Sequence, residues 1–98
     1  MPSLNSVKVA LRISLSNLAF DEEITDLIAA ARDDLRLSGV LATKTVSDDD
    51  SLINRAVNTY VKANFGFDNP DAERLQSSYE SIKAHLTLSQ EYTTEGDA

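Results

Sequence analysis

The residues best able to do chemistry in this chain are acidic. EEITD (22–26) puts Glu22 and Asp26 on successive turns of a helix. Carboxylates so spaced can hold magnesium if a second acidic pair faces them from another helix. Asp71 and Glu73 are available for that, but acids at a helix start are ordinarily explained by the helix dipole. The run DDD (48–50) invites a calcium reading, which needs a glycine at the sixth position and a glutamate at the twelfth. Counted from Asp48 those positions are Ile53 and Thr59, so the pattern fails. His85 is the only histidine, on the flank of an apolar stripe. With no cysteine and no second imidazole, nothing supports a nucleophile–base arrangement around it. There is no GxGxxG and no Walker-type loop. The expectation is no catalytic centre, no cofactor and no metal site.

The aromatic residues point to geometry instead. Tyr60, Phe65, Phe67 and Tyr79 flank the corner NFGFDNPDAERL (64–75). At this spacing they read as core. Phe67 packed under the turn would lock the angle that Gly66 and Pro70 begin.

Helices must hold these residues, and four segments carry a helical pattern. In residues 4–13, Leu4, Val7 and Leu11 share a helical face, while Val7, Val9, Leu11 and Ile13 alternate as in a strand; periodicity leaves both open. The second helix is predicted to be capped by Asp21, with Glu22 and Glu23 in its first turn and Gly39 past its end. Ile24, Leu27, Ile28, Ala31 and Leu35 form its stripe. Glu23, Asp26, Asp33 and Asp34, with Arg32 and Arg36, form its charged back. VLATKTV (40–46) is β-branched without helical period, an irregular loop or one arm of a hairpin.

The third helix is predicted to be capped by Ser47 or Asp48, with residues 48–50 in its first turn. Leu52, Ile53, Ala56, Val57, Tyr60, Val61 and Phe65 give it a face wide enough for two neighbours, so it is expected at the centre. Gly66 ends it. Asn69 caps the fourth helix, with Pro70 at the first helical position, and Leu75, Tyr79, Ile82 and Leu86 form a narrow stripe. The fold class is therefore all-α: a small bundle of three main helices plus a short N-terminal helix, with one irregular loop or hairpin between helices 2 and 3. Residues 1–88 form the single domain, and 89–98 a flexible acidic tail without core pattern.

Bulk properties narrow the function. Nine Lys and Arg stand among sixteen Asp and Glu, for a net charge of −7 and no basic run. That disfavours reading DNA sequence, which draws on clustered cations. The start lacks a signal-peptide pattern and no apolar stretch reaches membrane-spanning length. A soluble protein of the cytoplasm is expected.

Three pieces, VKVALRI, DEEITDLIAAARDDL and DDDSLINRAVNTYVKANFGFDNPDAERLQSSYESIKAHL, follow one another over residues 4–88. D-x-L-x-x-x-A-x-x-x-Y-V-x-x-x-F-G, from Asp50 to Gly66, is the most distinctive pattern. In their order they resemble the head–tail connector (head completion or adaptor) proteins of tailed bacteriophages and prophages. The resemblance implies a helical first segment and a virion structural protein without enzymatic activity. It implies a homo-oligomeric ring of about twelve copies under the portal, extending the DNA channel and presenting a surface to the next head-completion or tail protein. The place implied is the head–tail interface of the virion, reached from the host cytoplasm.

A ring multiplies the acidity into a negative collar along which DNA slides without specific binding. Glu22, Glu23, Asp26, Asp33 and Asp34 are the candidate channel-lining acids. Val40, Leu41, Thr43, Lys44, Thr45 and Tyr92 are the candidate intersubunit or portal contacts. One departure is SLSNLAF (14–20), more apolar than a polar loop, with Leu18 and Phe20 either packed under the domain or part of a contact. Two other readings stand beside this one: a small helical partner-binding regulator, and a magnesium-dependent all-α nucleotide pyrophosphohydrolase using the 22–26 acids.

Overall fold

The computed structural model describes residues 4–46, 50–66 and 69–94, and every regular element in them is a helix. In chain order these are α1 (Leu4–Ala10), α2 (Asp21–Leu37), α3 (Ala42–Thr45), α4 (Ser51–Asn64), α5 (Ala72–Leu88) and α6 (Gln90–Thr93). The all-α bundle is as expected, with α2, α4 and α5 as its main helices.

The first segment is a helix, and the strand-like alternation dissolves: Val7 is buried while Val9 points to solvent. Its end is a Schellman turn, in which Ile13 N–H reaches the Lys8 carbonyl and Arg12 N–H that of Val9. Arg12 takes the left-handed position at φ 63°. The same motif ends α2, where Gly39 (φ 115°) occupies that position without a Cβ penalty. Val40 N–H then bonds the Leu35 carbonyl at 3.0 Å, and both side chains enter the core.

Three helix starts differ from expectation. Asp21 does not cap α2; Phe20 is the N-cap residue, with no side-chain bond, and Asp21 lies in the first turn with Glu22 and Glu23. For α4, expected caps Ser47 and Asp48 lie outside the described residues, and Asp50 does the work. Its extended backbone lets Oδ1 accept from Leu52 N–H at 3.0 Å and Ile53 N–H at 3.1 Å. Asp50 therefore precedes the first turn of α4, and no acid lies within that turn. For α5, the regular helix begins at Ala72 rather than Pro70. Asn69 still organises the entry: its Oδ1 accepts from Asp71 N–H, and its Nδ2 donates to the Lys62 carbonyl at 2.6 Å. With Gly66 at φ 85°, these bonds set the corner between α4 and α5. Phe67 lies outside the described residues.

VLATKTV folds as neither loop nor hairpin but around the single turn α3. Both ends are anchored, Val40 in the core and Leu41 N–H on the Tyr92 carbonyl at 2.8 Å. Tertiary anchoring overrides the β propensity of the segment. Part of the expected tail also packs: α6 places Tyr92 in the core at 6% exposure.

Around these termini the core assembles as its stripes dictate. Ile24, Ile28, Ala31 and Leu35 of α2 meet Ile53, Ala56, Val57 and Val61 of α4, with Tyr79 and Leu86 from α5. The central helix is α4, which packs against α1, α2 and α5. Leu52, counted in its apolar face, lies largely exposed.

Candidate functional site

The five acids expected to line a channel all belong to α2, and the helix sorts them. At about 100° per residue, Glu22, Asp26 and Asp33 fall within about 40° of one another. That sector lies opposite Ile24, Ile28 and Leu35, and all three acids are exposed. Asp33 has Arg36 one turn on, at 3.6 Å between exposed groups, a pair of little energetic weight.

Glu23 and Asp34 lie on the flank, roughly a quarter turn or more away. The Glu23 carboxylate reaches the Gly66 N–H at 3.4 Å, across to the corner. Asp34 is held firmly. Its Oδ2 accepts from the Tyr79 hydroxyl at 2.5 Å and from Lys83 Nζ at 3.1 Å, tying α2 to α5. Burial alone would raise the Asp34 pKa, but the bonds from Tyr79 and Lys83 outweigh it and hold it below the usual carboxylate range. Burial and the Asp34 carboxylate push the Tyr79 hydroxyl up. For Lys83, burial is outweighed by bonds to Asp34 and Glu80, and the ammonium is strengthened. Asp34 is thus a structural acid, and only four of the five are free on the surface or nearly so.

The feature that sequence reasoning missed is Lys8. Its side chain is 1% exposed, and Nζ contacts Asp21 Oδ1 at 2.7 Å and the carbonyls of Asn17 at 2.6 Å and Leu15 at 3.3 Å. A single ammonium thereby ties the 14–20 linker, at Leu15 and Asn17, to α1 and the start of α2. The available signal was a cation inside an apolar helix face with an acid opening the next helix. Held in this way, the linker presents Leu15 (50% exposed) and Leu18 (70%) to solvent. Phe20 lies edge-on to Phe65 with ring centroids 5.4 Å apart.

The expected contact residues lie at the other end of the bundle. Val40, Thr45 and Tyr92 are buried within the domain, Leu41 and Lys44 are half-buried, and Thr43 is exposed. Tyr92 joins them: its hydroxyl donates to Asp50 Oδ1 at 3.0 Å, and Lys44 Nζ stands 5.7 Å from its ring centre. Burial and the Asp50 bond push its pKa up to about 12. Beside it a groove of about 540 Å³ opens between the start of α4 and the end of α5. His85 is exposed on its lining.

Among the described residues no group of three or more His, Asp or Glu is placed to hold a metal ion, with Glu22, Asp26, Asp71 and Glu73 included. No described helix is long and apolar enough to cross a membrane.

No curated protein and no solved structure matches the chain. The family model described as phage connector protein matches residues 3–93, from before α1 to the last residue of α6. The match takes in α2 with its outward acids, the corner after α4 and the Tyr92 turn together. The chain therefore belongs to the phage connector protein family, and its role is that of a structural connector of the phage particle.

Proposed function

We propose that this connector acts as a head–tail adaptor, with copies assembling as a ring under the portal and extending the DNA channel. The observation that carries the reading is the stripe of Glu22, Asp26 and Asp33. Among the described residues, these three carboxylates opposite the core make no bond to another helix. Repeated around a ring and turned inward, they make a wall that repels phosphates, so duplex DNA passes without adhering. Glu23 stands at the margin of that wall, and Asp34 acts behind it as the tie to α5.

The portal contact in this reading is the outer surface of α3, with Leu41, Thr43 and Lys44 outward. Val40, Thr45 and Tyr92 shape that surface from beneath. The partners are the portal protein, further copies of this chain, and the next head-completion or tail component.

The test is to mix the purified protein with portal rings from the same genome, sediment, and count bound copies. Saturation at about one copy per portal subunit is expected of a matched ring. A folded protein that fails to bind contradicts the adaptor role and favours a partner-binding regulator.

A further inference from the structure

Two apolar features stand at opposite ends of α4. Near its C-terminal end is the 14–20 linker, an apolar knob with Leu15 and Leu18 outward and Phe20 against Phe65. The knob is stiff, because Lys8 holds two of its carbonyls. Near the N-terminal end of α4 is the groove, whose lining includes Leu52, Arg55, Ile82, His85, Glu91 and Tyr92. The helical rise from Leu52 to Phe65 is about 20 Å. A knob therefore cannot fill the groove of its own chain.

Charge favours the meeting of two copies at these surfaces. At a net charge of −7, copies repel one another in most approaches. Here the signs differ. Arg55 lines the groove together with Glu91 of α6, and a second cleft that continues along α4 and α5 adds Arg74. The pair of Arg74 with Asp71 at 3.7 Å is between exposed groups and weak. The two linings together carry two cations against one acid. Beside the knob stands exposed Glu23. A twofold contact of knob with knob would set Glu23 against Glu23. A contact of knob with groove brings unlike charges and unlike shapes together, and repeated by rotation it closes into a ring.

We infer that the 14–20 knob of one copy seats in the α4–α5 groove of the next, with Glu23 directed toward Arg55 and Arg74. This rests on the ring reading above and names the surfaces that close the ring. Glu22, Asp26 and Asp33 take no part in the contact and remain free to face a lumen.

The absence of cysteine from the chain makes the test clean. Leu18→Cys and His85→Cys, both at exposed positions, are combined in one chain and assembled on portal rings. A short bis-maleimide then links only thiols brought close together, which the two sites of one chain are not. The expected result is a ladder of covalent multimers from the double variant, and none from either single variant. Dimers from Leu18→Cys alone would mean a twofold contact and overturn the pairing. Linkage of Leu18→Cys to the portal protein would assign the knob to that partner and also overturn it. Copies bound to the portal without a ladder would reject this interface while leaving the adaptor role intact. If the unmodified protein does not bind at all, the ring reading falls and the pairing with it.

Discussion

The two sides of α2 carry the same kind of residue to opposite ends. Toward its neighbours, at the two edges of the core stripe, Asp21 meets a buried ammonium from α1, and Asp34 meets a hydroxyl and an ammonium from α5. On the face turned away from them, Glu22, Asp26 and Asp33 are exposed, Asp33 beside Arg36 of the same helix. Type and helix are shared; angle around the axis is what differs. An acid facing a neighbouring helix acquires partners and becomes part of the architecture, while one facing away keeps its charge for whatever approaches from outside. Substitutions on the two sides should therefore separate stability from function.

The largest loss is expected at Lys8. Lys8→Ala leaves Asp21 and two carbonyls without their cation and removes a buried stem, costing about 3 kcal/mol in urea denaturation. Lys8→Met keeps the stem and should recover part of that loss. A cost near zero for both would mean that the linker is held by something other than this ammonium.

Next comes Tyr79→Phe, which removes the hydroxyl bonded to Asp34 in a buried position. About 2 kcal/mol is expected, the range for hydrogen bonds to charged groups. The same clasp has a pH signature. Since the folded Asp34 carboxyl is held below its unfolded value of about 4, its contribution is present above that value. It fades as pH falls through the lower folded value. Asp34→Asn should flatten the acid limb of stability measured from neutral pH downward; an unchanged limb would exclude Asp34 as a contributor.

A smaller effect belongs to the far end of the bundle. The Tyr92 hydroxyl is neutral in the fold and titrates near 12, against about 10 when unfolded. Its contribution is complete below pH of about 10 and is lost as pH rises toward the folded value. Tyr92→Phe should remove this alkaline dependence, read as hydrogen exchange of the Leu41 amide bonded to the Tyr92 carbonyl.

The smallest stability effect is expected on the outward stripe. Glu22→Gln, Asp26→Asn and Asp33→Asn together should change unfolding free energy by no more than about 0.5 kcal/mol. A large destabilisation would erase the distinction between the two sides.

Much of this division was readable in the residues, and part was not. The stripes of α2, α4 and α5 follow from three- and four-residue spacing, because burial on one face leaves that period in the sequence. Gly39 and Gly66 marked their turns, since left-handed backbone favours glycine. Spacing puts Glu23, Asp26, Asp33 and Asp34 on one charged back, yet Glu23 and Asp34 turn toward other chain segments. Which flank of a helix faces its neighbour depends on the packing of several helices at once, and no local pattern records it. Lys8 was hidden for a related reason: a lysine stem suits an apolar face whether its head reaches water or a buried carboxylate. α3 and α6 are single turns, too short to show a period, and are held by contacts such as Leu41 with Tyr92 that join distant parts of the chain. The caps slipped because several acids stood in a row, and only backbone geometry selects Asp50.

The central claim is that the untied side of α2 faces the DNA path. A cryo-electron-microscopy reconstruction of the protein bound to its portal tests it most directly, through the radial position of each α2 residue. The account predicts Glu22, Asp26 and Asp33 on the lumen wall, with Asp34 behind them, turned toward α5. A ring with that stripe on its outer circumference, or buried between subunits, would contradict it.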